Sequence, residues 1–238
     1  MNGKWGGLYI VCEWIMKFSG ANLLWVLFNI PIVILILNLF SASSLNQLTF
    51  SYIAILILLP FVFFPATVAL FAVVRKWIIK DESKKMIPAF VNYYRENYFR
   101  SLFGGLLIVL IWFVVVFYSY MLYLNKGLSL FMLLPIGILY AFTMNYFSIN
   151  VHFEVKILAS LKHALFITIG RPLITLGIAG VSGLILYLSI NILTFLIPFF
   201  IGSLIAFTSF LGFYSHLMKI DSKKNVKSSL DLSQEISH

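Results

Sequence analysis

The sequence predicts an all-α, polytopic membrane protein. Three observations carry this: 61% of its 238 residues are hydrophobic, only 11% are charged, and the apolar stretches are long enough to span a bilayer. Soluble domains carry about 25% charged residues, and a bilayer crossing takes about 20 apolar residues as helix. The net charge of +9 comes from 17 Lys and Arg against 8 Asp and Glu. These basic residues lie in the gaps between apolar runs, which points to orientation and anionic lipid headgroups and not to nucleic acid. A single cysteine, Cys12, excludes an internal disulfide and a thiolate metal cluster, and reads as a small buried hydrophobe.

Six spans follow in order, at about 22–40, 50–74, 101–124, 128–150, 172–190 and 194–217. The first has basic flanks at Lys4 and Lys17 and is longer than a signal-peptide core, so it reads as an uncleaved helix. The third and fourth meet across Asn125-Lys126-Gly127. The last two come from 46 residues, 172–217, without Asp, Glu, Lys or Arg, with Asn191 and Pro198 marking the turn. Segments before residue 22, at 75–100, at 151–171 and after 217 hold 2, 7, 3 and 4 basic residues, whereas the opposite loops hold only Lys126. By the positive-inside rule both termini are cytoplasmic.

Each cytoplasmic segment carries an apolar stripe at helical spacing, as a helix lying in the interface does. The stripes are Leu8, Val11, Cys12, Ile15 and Phe18; Phe90, Tyr93, Tyr94, Asn97 and Tyr98; and Ile157, Leu161, Ala164, Leu165 and Thr168. Glu13 and Lys17 are placed to pair at i,i+4. The chain thus reads as three units of surface helix, span, short turn and span. The tail 219–238 is polar and basic and reads as disordered, with affinity for anionic lipid.

The motifs of catalysis are absent: the sequence contains no HExxH, GxSxG or phosphate loop. No catalytic, cofactor or metal residues are assigned, and the expectation is a protein that is not an enzyme. The one acid/base set worth naming is His152, Glu154 and His163, at the end of the fourth span. No charged residue falls mid-span, which argues against ion coupling.

What remains within the spans is amide and hydroxyl. Asn22, Trp25 and Asn29 share a helix face and, with Thr67 of the proline-containing second span, form a candidate polar pocket. Interhelical hydrogen bonding is the alternative reading of the same residues. Pro60 and Pro65 should kink the second span. Gly104-Gly105 and Gly177, Gly180 and Gly183 should admit close helix packing. Arg75, Lys76, Trp77, Arg95 and Arg100 form a candidate coupling or lipid surface.

NLLWVLFNIP at 22–31, PATVALFAVVRKWI at 65–78 and FVNYYRENYFRSL at 90–102 together resemble the YesL family of bacterial membrane proteins. The resemblance covers the first hundred residues by motif and the rest by layout. It implies a bacterial plasma-membrane protein, associated with carbohydrate-uptake systems. The expected role is a non-enzymatic accessory, with the membrane subunits of a transporter as partner. A facilitator of a small neutral solute such as a sugar is the alternative.

Overall fold

The computed structural model describes residues 4–81, 85–124 and 133–236, and every regular element among them is helical. In order these are α1 (Lys4–Phe28), α2 (Ile30–Ser41), α3 (Leu45–Leu58), a π-turn (Leu59–Phe63), α4 (Phe64–Ile78), α5 (Met86–Glu96), α6 (Tyr98–Leu124), α7 (Leu133–His152), α8 (Ile157–Gly170), α9 (Pro172–Asn191), α10 (Leu196–Phe199) and α11 (Ile201–Ile236). Asn125-Lys126-Gly127 and His238 lie outside the described residues.

Five segments are long and apolar enough to cross a membrane: Gly7–Phe28, Leu45–Ile78, Tyr98–Met121, Pro172–Asn191 and Ile201–Ile220. The fourth expected span, 128–150, corresponds to α7, which is 20 residues long and is not among the five. It is less apolar because it is the hub of the bundle, packed on α4, α6, α8, α9 and α11. Residues 141–150 of α7 are all buried, including Thr143, Asn145, Ser148 and Asn150. A helix enclosed by protein has no need of a lipid-compatible surface. α4 is its counterpart, with residues 64–74 buried without a break.

The first span differs from the expected 22–40. α1 runs unbroken from Lys4 to Phe28, so no separate surface helix precedes it, and the break falls at Asn29. Pro31 lacks an N–H, and Asn29 adopts φ −96°, ψ 10°, so the helix ends and restarts there. The stripe of Leu8, Val11, Cys12 and Ile15 is exposed, whereas Trp14 and Phe18 turn inward onto Trp77 and Phe207. Cys12 is therefore exposed rather than buried, because it shares the outward face. The expected Glu13–Lys17 pair forms at 2.8 Å.

Pro60 and Pro65 produce a π-turn instead of a simple kink: the Phe64 N–H donates to the Leu59 carbonyl, five residues back. Widening the helix by one residue relieves the clash of a proline ring with the preceding turn. Gly104 and Gly105 do admit close packing. A Cβ on Gly104 would collide with the Tyr146 hydroxyl, and one on Gly105 would lie 2.7 Å from the Phe64 ring. Gly177, Gly180 and Gly183 do not: a Cβ on any of them meets nothing within 4 Å. The face of α9 that packs inward is Thr175, Ile178, Ser182 and Ser189.

Of the stripe expected at α5, Phe90 is fully covered and Tyr93, Tyr94, Asn97 and Tyr98 are half-buried, while Arg95 and Glu96 are exposed. Its rings meet α1, Phe28 to Phe90 at 5.2 Å and Phe28 to Tyr94 at 4.7 Å. In α8 the inward residues are Ser160, Ala164 and Thr168, and Leu165 faces out. The span expected from residue 194 begins at Ile201, after the break at Phe200. α11 then continues as helix to Ile236, so the expected disordered tail is helical backbone up to that residue.

Candidate functional site

The four residues of the candidate polar pocket occupy three separate arrangements. Asn22 is fully buried, and both ends of its amide are used. The Gly202 and Ser203 N–H groups donate to its Oδ1 at 2.8 and 3.1 Å, and its Nδ2 donates to the Pro198 carbonyl at 2.7 Å and the Ile197 carbonyl at 3.4 Å. Asn22 thus caps α11 and closes the break after α10, supplying partners that a helix end inside a bilayer cannot take from water. Gly202 is needed for this approach, since a Cβ there would sit 3.0 Å from Asn22 Oδ1.

Trp25 and Thr67 do meet: Trp25 Nε1 donates to Thr67 Oγ1 at 3.1 Å, and Thr67 Oγ1 donates to the Phe63 carbonyl at 2.7 Å. The carbonyl it serves lies in the π-turn, where proline has removed backbone donors. Asn29 donates from Nδ2 to the Trp25 carbonyl at 2.8 Å, and its Oδ1 is buried without a hydrogen-bond partner. None of these four residues lines any of the three clefts described for the molecule.

The same Trp–Thr device recurs between α6 and α7. Trp112 Nε1 donates to Thr143 Oγ1 at 3.1 Å, and Thr143 Oγ1 donates to the Leu139 carbonyl at 2.8 Å. In α11, Thr208 makes the corresponding bond to the Leu204 carbonyl at 3.0 Å. Such a pair joins the two helices of a hairpin and returns the hydroxyl proton to its own helix, so no polar atom is left over. Asn145 Nδ2 also joins α7 to α8, donating to Thr168 Oγ1 at 2.9 Å, while its Oδ1 is buried without a partner.

The basic residues gather at the end of the bundle formed by the close of α4, the start of α6 and the close of α7. Arg100 donates to the Phe153 carbonyl at 2.8 Å and to Ser160 Oγ at 3.4 Å, which fixes the α7–α8 connection onto α6. A cation at the C-terminal end of α7 also suits the helix dipole. Arg75 Nε donates to His152 Nδ1 at 3.5 Å. Lys76 pairs with Asp81 at 3.5 Å and lies 5.8 Å from the centre of the Tyr93 ring. α4 stops here in a Schellman turn: Asp81 N–H donates to the Lys76 carbonyl and Lys80 N–H to that of Trp77, with Lys80 at φ 58°. Trp77 faces inward onto Trp14 and Phe18, while Arg95 points out to solvent. The five residues of the candidate surface are therefore mixed: Arg75, Lys76, Trp77 and Arg100 hold the fold, and Arg95 is free to meet a partner or lipid.

His152, Glu154 and His163 do not form an acid/base set. The His152 ring sits among Phe153, Phe210, Phe213 and Tyr214, and accepts from Arg75. Burial, and then the neighbouring Arg75 charge, push it below the usual imidazole range. Glu154 and His163 are exposed, and none of the three lines a described cleft. Among the described residues no group of three or more His, Cys, Asp or Glu could hold a metal.

Three clefts were not foreseen, one of them, about 400 Å³, lying between α9 and α11 against Ile178, Thr208 and Ser215. A small one of about 250 Å³ at the basic end has an apolar floor of Val73, Trp77 and Met86, with both ion pairs on its rim. The largest, about 600 Å³, lies between α3 with the π-turn on one side and α6 and α7 on the other, and its lining is almost wholly apolar. The sequence signal for it was the recurrence of aromatic rings at Trp112, Phe113, Phe117 and Tyr120, which reads equally as a lipid-facing surface.

The fold and the polar pairs define a class: a helical, multi-pass membrane protein whose internal polar groups join its helices. Residues 18–119 match the family described as "Protein of unknown function, DUF624". Three proteins of Bacillus subtilis (strain 168) are similar along most of their length. "Uncharacterized protein YteU" is 28% identical over 92% of this chain and 89% of its own. "Uncharacterized protein YesL" is 26% identical over 84% of each, and "Uncharacterized protein YesV" 26% over 87% of this chain and 91% of its own. The resemblance to the YesL family read from the three motifs is borne out by these matches. No solved structure matches the chain.

Proposed function

We propose that this protein is a non-enzymatic accessory or regulatory component of the bacterial plasma membrane, linked to carbohydrate uptake. It crosses six times, with α7 as the fourth crossing, and keeps both termini in the cytoplasm. Sixteen of its 17 basic residues then fall on the cytoplasmic side. It acts on the membrane subunits of a transporter, through its outward helix faces or through Arg95 and the exposed charges of α5 and α8, which also meet anionic lipid. The link to carbohydrate rests on the YesL resemblance.

One observation favours this reading over a sugar facilitator: several polar side chains inside the bundle bond one helix to another, although buried polar atoms of Asn29, Asn150, Ser182 and Ser209 have no partner. A sugar crossing a membrane needs hydrogen-bond partners along its path, because each unmade bond to a buried polar group costs about 1–3 kcal/mol. Asn22, Trp25, Thr67, Trp112 and Thr143 are committed to helix contacts, and the largest of the described clefts is almost wholly apolar.

The test is co-purification from mild detergent with deletion of the gene alongside. Transporter membrane subunits should copurify above background, and growth on the corresponding sugar should fall. No subunit above background, together with unchanged growth on all sugars tried, overturns the proposal.

A further inference from the structure

We propose that the seam between α6 and α7 at the basic end is a binding site for ordered water, held by Arg100, Tyr146 and Asn150. The inference requires only that the basic end faces water and is independent of the accessory role. Tyr146 and Asn150 are buried, at 0% and 3% exposure. With Phe153 they follow i, i+4, i+7 along α7, so the three share one face. That face meets α6: the Tyr146 hydroxyl lies against Gly104, and Arg100, one turn earlier, donates to the Phe153 carbonyl at 2.8 Å. The two contacts bracket Asn150.

Four buried polar atoms on this seam have no hydrogen-bond partner among the described residues: Arg100 Nε, Tyr146 Oη, Asn150 Nδ2 and Asn150 Oδ1. A buried polar group left unmet forfeits the bonds it made in water, and four in one seam would take a sizeable share of a domain's net stability. They do not reach one another. Residues one turn apart on a helix are offset by about 6 Å, which is twice the length of a hydrogen bond of about 2.8–2.9 Å. One bridging water covers that span.

The chemistry of the set selects water over an ion. A cation would face the Arg100 guanidinium, and an anion would face the carbonyls that end α7, where the helix dipole is negative. Water both gives and accepts, so it can serve the Arg100 N–H, both ends of the Asn150 amide and the Tyr146 hydroxyl, in keeping with the two to four polar partners of a buried water. It enters from the basic end, where Arg100 is half-buried and Glu154, next to its Phe153 partner, is exposed. It goes no further than Tyr146, because the Phe64 ring against Gly105 and the Trp112–Thr143 bond close the seam beyond. The site wets the hub helix from one side and opens no path across the bundle.

The experiment exposes the full-length protein in lipid nanodiscs to brief X-ray radiolysis, which makes hydroxyl radicals from bulk and bound water alike, and maps oxidation by peptide mass spectrometry. Tyr146, Phe147 and Phe210 are all fully buried. Tyr146 should be oxidised at least five-fold faster than Phe147 and Phe210, and equally in chloride and sulfate buffers. Asn150→Leu, which removes two of the four unmet atoms, should cut Tyr146 oxidation at least three-fold, and Ser182→Ala on α9 should leave it unchanged. If Asn150→Leu does not fold, the comparison of the three rings in the native protein decides alone. Tyr146 oxidised no faster than Phe147, or at a rate unchanged by Asn150→Leu, would overturn the proposal. So would oxidation several-fold slower in chloride than in sulfate, which would place an anion in the seam.

Discussion

The basic end of the bundle and the end opposite it are built on opposite plans. At the basic end α4 and α7 are buried on all sides, rings pack edge to face around Trp77 and His152, and Arg100 and Arg75 tie three helices together. At the other end α3 rests mainly on α2, the outer half of α6 is exposed, and the two enclose a cleft. The difference shows what polar residues do here. Where helices are locked, several buried polar side chains join one helix to another, though Asn150, Ser182 and Ser209 keep buried polar atoms without a partner; where they part, the walls carry few polar atoms. The paired polar side chains of this protein lie at the seams between its helices.

Substitutions at two glycines, one on α6 and one on α9, should separate close packing from an open face most strongly. Gly105→Leu drives a side chain into Phe64 and should cost about 2–3 kcal/mol or prevent folding. Gly180→Leu, whose Cβ meets nothing within 4 Å, should stay within about 0.5 kcal/mol. Thermal unfolding in detergent measures both, and equal effects would break the comparison.

Asn22→Ala comes next, at about 2 kcal/mol, because it strands two backbone N–H groups and a carbonyl inside the bundle. Asn22→Asp keeps the acceptor but loses the bond to Pro198, and should fall between Ala and the native residue. If Asn22 served a ligand instead, the two variants would leave unfolding unchanged and alter binding.

His152 sharpens the account of the basic end through pH. Its folded-state affinity for a proton is below that of a free imidazole, so the unfolded chain binds the proton more readily. Stability is therefore full above the ordinary histidine range near pH 6.5 and is lost as pH falls through it. A melting temperature that drops between pH 7 and 5 in the native protein should drop less in His152→Gln, read against the same change in His163→Gln, where the ring is exposed.

The smallest effect is the most diagnostic of the threefold layout. Trp25→Phe and Trp112→Phe each remove one hydrogen bond to a threonine, worth about 0.6 kcal/mol in membrane proteins. Matching losses in the two hairpins support a common unit; a loss in one alone does not.

Much of this was legible in the sequence, and the part that was not has a common cause. Apolar length marked the helices, and the α5 stripe and Gly104-Gly105 were read correctly because each depends on neighbours close in sequence or on the absence of a side chain. The first span was misplaced because hydropathy does not register the break at Asn29 and Pro31. The polar face of α1 was visible, yet its partners were not: Asn22 bonds to Gly202, 180 residues away. Gly177, Gly180 and Gly183 carry the same small-residue signal as Gly104 but face outward, and nothing local distinguishes them. The cleft was hidden for a similar reason, since an aromatic surface facing lipid and one facing a gap have the same composition.

The claim that internal polarity joins helices and does not conduct is tested most directly by sugar flux. The purified protein is reconstituted in proteoliposomes, and uptake of labelled mono- and oligosaccharides is followed against protein-free vesicles. The account predicts uptake no faster than in the protein-free control. Saturable uptake that Asn29→Leu abolishes would contradict it and restore the candidate pocket as a transport site.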